Sequence, residues 1–143
     1  MVAGSVIPVD EVSRVGEIRR AALSLARAEG LDESLSGNVA LVATEISTNL
    51  LKHARGGEVF LTPLSDRIAR GVEILAIDRG PGMGELGQCL TDGYSSGQSP
   101  GTGLGAITRL SREFDIYTER DRGTVMVSQI RGEAALQSRS AVS

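Results

Sequence analysis

The chain has 143 residues, 41% hydrophobic and 23% charged, with 15 basic against 18 acidic side chains and a formal net charge of −3. That length suits one compact domain, and a mildly acidic balance with no basic run argues against a nucleic-acid footprint or a polybasic membrane patch. Cys89 and His53 are the single cysteine and histidine, too few for a disulfide framework, a structural zinc site or a convincing hydrolytic triad; with no signal-peptide character and no apolar stretch near the roughly 20 residues that span a bilayer, a cytoplasmic protein is expected.

Taken in chain order, Val6 to Val9 is a short apolar strand ended by Asp10, a residue suited to capping a helix. The helix carries apolar positions Val12, Val15, Ile18, Ala22, Leu23 and Ala26 at helical spacing and stops at Gly30. A second helix starts between Asp32 and Ser36 and runs to about Ala54, where Arg55-Gly56-Gly57 breaks it. Glu58 to Thr62 and Val72 to Ile77 read as strands joined by a loop at Ser65-Asp66-Arg67. Leu104, Ile107, Leu110 and Phe114 mark a short helix, and a hairpin of Asp115 to Glu119 and Thr124 to Ile130 turns at Asp121-Arg122-Gly123. The Ser-, Arg- and Ala-rich residues 133–143 are expected to be a loose tail on a single domain of residues 1–132. Helices and strands that do not strictly alternate predict an α+β fold: helices on one face of a mixed, mostly antiparallel sheet.

Glycine is the unusual count, 18 of 143, with ten in residues 71–105, where about 7% is usual. Such a segment is either a linker or backbone left bare for close approach to a ligand. A chain this short cannot hold a good domain on each side of a linker.

With Glu45 at zero on a helical wheel, Asn49 falls near about 40°, Lys52 near about −20° and His53 near about 80°. Val39, Val42, Ala43, Ile46 and Leu50 fill the arc from about 60° to 160°, so the polar stripe borders the apolar face. By itself the stripe also fits a decorated surface helix. Lys52 is the chain's one lysine, which makes its company with a carboxylate, an amide and an imidazole less routine. Asp78 ends an apolar strand just before Gly80, Gly82 and Met83, placing an acceptor-only carboxylate, suited to the exocyclic amine of adenine, beside bare backbone. Gly101-Thr102-Gly103-Leu104-Gly105 then opens a helix, a setting in which backbone amides bind phosphate.

Glu45-x-x-x-Asn49-x-x-x-His53-Ala54, Asp78-x-Gly80-x-Gly82-Met83, Gly101-x-Gly103-Leu104-Gly105 and Gly123-Thr124 occur in that order. Together they resemble the motif set of the GHKL (Bergerat-fold) ATP-binding superfamily, and within it the small bacterial anti-sigma-factor serine/threonine kinases of the RsbW and RsbT type. Asp92-Gly93-Tyr94-Ser95-Ser96 and Arg109-Leu110-x-x-Glu113-Phe114 favour the RsbT-type, stressosome branch.

The resemblance implies a two-layer sandwich with an ATP lid, taking ATP and Mg²⁺. Glu45 would be the general base for a protein hydroxyl, and Asn49 would coordinate Mg²⁺. Asp78 would accept from adenine, with Gly80, Gly82 and Met83 beside the ring and Thr124 in support. Gly101, Thr102, Gly103, Leu104 and Gly105 would cradle phosphates, with His53 near them. Where RsbW-type kinases carry an arginine for the terminal phosphate this chain has Gly101, leaving Lys52 and Arg109 to supply the positive charge. The implied substrate is a STAS-domain antagonist protein, and the implied further partners are a PP2C-type phosphatase or a sigma factor.

Two other readings compete. Gly101-x-Gly103-x-x-Ala106 also satisfies a dinucleotide fingerprint, with Glu119 and Asp121 about 20 residues on, but residues 93–100 before it do not read as the buried strand that motif requires. A non-catalytic ATP- or ADP-dependent adaptor that sequesters or activates a regulatory partner is the alternative within the same superfamily; retention of Glu45 leans towards catalysis.

Overall fold

The computed structural model describes residues 4–54, 56–65, 69–78, 103–119 and 121–132. In chain order they form β1 (Ser5–Val9), α1 (Ser13–Ala28), α2 (Glu33–His53), β2 (Gly57–Ser65), β3 (Arg70–Asp78), α3 (Leu104–Leu110), β4 (Glu113–Glu119) and β5 (Gly123–Gly132). The strands lie in the order β1-β2-β3-β5-β4, and each pairing is antiparallel. The sheet is therefore not mixed among the described strands. The cause is connectivity: α1 and α2 form a helical hairpin between β1 and β2, so the chain returns to the sheet reversed. β3 and β4 do run in the same direction, but β5 lies between them.

Helix α1 begins later than the sequence implies. Its N-cap is Val12, with no side-chain cap, and the Asp10 carboxylate instead accepts from Arg14 Nε at 3.0 Å. Standing outside the helix, Val12 is 77% exposed. The other end matches expectation. Gly30 has φ +84°, its N–H donates to Arg27 O at 3.0 Å, and Leu31 N–H reaches Ala26 O at 3.1 Å, the paired bonds of a Schellman stop with the following Leu31 buried. Two residues on, Asp32 caps α2 by accepting from Leu35 N–H at 2.8 Å.

Both strands of the central pair run longer than their apolar runs predict. β2 continues through Pro63, beyond Leu61, the last β2 residue that β1 covers, and there a missing N–H is tolerated. α3 stops at Leu110, and Phe114 lies in β4 instead of on the helix. Arg112 N–H donates to Gln129 O at 2.7 Å, and the alternation of exposed Glu113 and Asp115 with inward-facing Phe114 and Ile116 has the period of a strand.

Ile18, Ile46, Leu50, Leu61, Ile74, Ile107, Met126 and Ile130 are fully buried between the helices and one sheet face. Among the described residues no helix is long and apolar enough to cross a membrane.

Candidate nucleotide site

Helix α2 packs on β3, β5 and α3, and this brings several predicted residues to one end of the sheet. β3 ends there at Asp78, opposite Thr124 at the start of β5, which in turn lies opposite Thr118 of β4. Directly opposed residues project on the same side of a sheet. Asp78 and Thr124 are 3% and 1% exposed, so a carboxylate and a hydroxyl stand side by side beneath the helix layer. Thr118 Oγ1 and Thr124 Oγ1 are hydrogen-bonded at 2.7 Å. The β2 backbone closes this end tightly: a Cβ at Gly57 would fall 3.3 Å from Asp78 Cα.

The second cluster joins α2 to the entry of α3. Gly103, the N-cap of α3, has φ +76°, a left-handed conformation that side chains rarely adopt. A Cβ there would fall 2.7 Å from Glu45 Cδ and 3.1 Å from its Cγ, and would overlap Oε2. The Glu45 carboxylate therefore occupies the space a side chain at 103 would need. At Gly105 a Cβ would meet nothing within 4 Å, so the protein's own described atoms leave that approach open. Leu104 is 1% exposed and belongs to the core, which leaves its backbone as the part suited to a phosphate.

One turn along α2 from Glu45, Asn49 is 3% exposed, and its Nδ2 has no hydrogen-bond partner among the described residues. Leaving a buried amide group unpaired costs about 1–3 kcal/mol. Rotation of the terminal amide exchanges Nδ2 for Oδ1, so this side chain can offer a cation an oxygen ligand.

Lys52 and His53 end α2 with exposed side chains. The wheel places His53 in the apolar arc, but the last residue of the helix projects beyond the core. Partial burial, and then the charge of Lys52, hold the His53 imidazole below its ordinary value. It is thus neutral near pH 7, and Lys52 is the cation of the pair. Because folding favours the neutral ring, the associated stability is present above the unfolded value of about 6.5 and is lost as pH falls through the depressed folded value. With one histidine in the chain, a proton NMR titration should show a single imidazole midpoint below 6.5, rising in Lys52→Ala; a wild-type midpoint at or above 6.5 counts against this arrangement.

Arg109, the other proposed phosphate cation, is exposed in the last turn of α3, about 9 Å along the axis from Gly103. Gly80, Gly82, Met83, Gly101, Thr102, the run 92–96 and the tail 133–143 lie outside the described residues. Thr118 is a further site neighbour outside the motif set, brought in by the hairpin register that pairs it with Thr124.

A two-layer fold with a buried Asp at a strand end, a Glu/Asn helix beside it and a glycine seated on the Glu is the arrangement that the GHKL-type resemblance implies. The chain belongs to the histidine kinase-like ATPase domain family, whose pattern matches residues 9–129, and membership implies ATP binding. It is similar to the serine/threonine-protein kinase RsbT of Bacillus subtilis (strain 168), with 26% identity over 106 residues, 74% of this chain and 80% of the relative. Its fold is similar to the crystal structure of the SiaB–SiaC complex from Pseudomonas aeruginosa, with a TM-score of 0.66 and 17% identity, covering 90% of this chain and 89% of the other.

Proposed function

We propose that this chain is an ATP-dependent protein serine/threonine kinase of a bacterial partner-switching pathway, acting through one domain of residues 1–132 on a Ser or Thr of a STAS-domain antagonist. The observation that carries the reading is the contact of Glu45 with the backbone at Gly103. A carboxylate able to take a hydroxyl proton stands where the family's phosphate loop enters its helix. The kinase relative RsbT supports the same activity.

In this reading ATP with Mg²⁺ supplies the phosphoryl group and neutralises its developing charge. Asp78 accepts from the adenine amine, Thr124 supports it, and the backbone from Gly101 to Gly105 holds phosphates. Glu45 receives the proton of the incoming protein hydroxyl. Lys52, about 10 Å along α2 from Glu45, and Arg109, about 9 Å along α3 from Gly103, are the two cations that could meet the terminal phosphate. Glu45 and Asn49 are about 6 Å apart along the helix axis, so one can face the nucleophile while the other faces the metal. In this reading Mg²⁺ would rest on Asn49 and phosphate oxygens, in keeping with the sparse protein ligation usual for that ion.

Transfer of labelled phosphate from ATP to a purified cognate STAS-domain protein, located on Ser or Thr by mass spectrometry, tests the reading. Nucleotide-dependent complex formation without any phosphorylation would support the adaptor alternative, whose output is sequestration or activation of a sigma factor or PP2C-type phosphatase. The metal role has its own check. Calorimetry should show ATP binding tighter with Mg²⁺ than with chelator in the wild type and equal under both conditions in Asn49→Ala; a variant as Mg²⁺-dependent as wild type would remove Asn49 from the metal site.

A further inference from the structure

Resting on the nucleotide reading above, we infer that Thr118 is a positioning residue for adenine recognition: its hydroxyl fixes the direction in which the Thr124 hydroxyl donates. The register places Thr118, Thr124 and Asp78 in one row across β4, β5 and β3, on the helix-covered face. The Thr118–Thr124 bond is 2.7 Å long, and geometry alone allows either oxygen to donate.

The neighbouring carboxylate disfavours one of the two directions, and a proton donated by Thr118 holds the other. If Thr124 gave its single proton to Thr118, it would turn lone pairs towards the side on which Asp78 stands, and an ionised carboxylate is acceptor-only. With Thr118 as donor, the Thr124 proton is released towards Asp78 or the purine edge. Thr124 is 1% exposed, so bulk water has little access to take over the donation, and a threonine side chain is stiff about its first torsion. Chains of hydrogen bonds in such surroundings also polarise one another. The half-buried Thr118 is thus the outer end of a relay that sets the polarity of the base site from a neighbouring strand.

The test compares Thr118→Val, which keeps shape and removes the hydroxyl, with Thr118→Ser, which keeps the hydroxyl. Calorimetry on the full chain should show ATP binding about 3- to 10-fold weaker in Thr118→Val, the size of one ordinary hydrogen bond, and a narrower preference for ATP over GTP. Thr118→Ser should stay within about twofold of wild type. In steady-state assays the loss should fall on KM for ATP and not on kcat, a division that a general loss of packing would not produce. ATP affinity in Thr118→Val within twofold of wild type would overturn the inference, as would equal losses in the Val and Ser variants, which would point to the methyl contact instead. Asp78→Ala is measured alongside. If it too binds ATP like wild type, the nucleotide reading has failed; if it alone is weak, only the role of Thr118 has.

Discussion

Glu45→Ala is expected to lower phosphotransfer to the protein substrate about 10²- to 10⁴-fold, the usual range for a general base, while ATP affinity stays within a few-fold of wild type. The half-buried carboxylate stands against Gly103, where the proposed phosphate loop enters α3. An anion beside phosphates does not assist their binding, so its removal should not weaken ATP. Its absence is felt when the hydroxyl of the substrate must lose a proton. Gly103 supplies a geometric control: Gly103→Ala puts a methyl group where the carboxylate is and adds left-handed strain, so it should lower transfer while Glu45 is present. Single-turnover transfer measured beside calorimetric ATP binding separates the two effects. Full transfer by Glu45→Ala would place the base elsewhere and strengthen the adaptor reading.

The parts of this molecule legible in sequence are those set by local chemistry. Gly30 and Asp32 announce the α1 stop and the α2 start because a left-handed position and a side-chain acceptor are needed there, and both are used as expected. Asp121-Arg122-Gly123 turns the hairpin, with Asp121 at φ +67°. The competition between Asp10 and Val12 for the start of α1 was hidden, because the Asp10 side chain is taken by Arg14, four residues on. The end of α3 was hidden for a similar reason. Leu104, Ile107, Leu110 and Phe114 satisfy a helical period, yet Phe114 and Ile116 also satisfy a strand, and the free edge of β5 favours the strand through hydrogen bonds no local window contains. The site divides in the same way. Glu45 and Asn49 border the apolar face as the wheel predicts, whereas the burial of Asp78 beside Thr124, and the bond from Thr118, depend on strand order.

Asp78→Ala is expected to weaken ATP binding roughly 10- to 100-fold, because a hydrogen bond to a charged group contributes about 1.5–3 kcal/mol. Asp78 is 3% exposed at the end of β3, where an acceptor-only side chain matches the adenine amine and repels the carbonyl that guanine carries at the same edge. ATP should therefore bind wild type much better than GTP does, and the two should converge in Asp78→Ala. Asp78→Asn sharpens the test. It preserves size but adds an NH₂ donor, which can meet the guanine carbonyl, so GTP should gain on ATP more than truncation alone allows. Helix α2 and the carboxylate of Glu45 are untouched by either change, so transfer at saturating ATP should fall far less than affinity. Equal ATP and GTP affinities in the wild type would remove Asp78 as the base-reading residue; an Asp78→Asn variant with wild-type selectivity would move purine discrimination to backbone contacts.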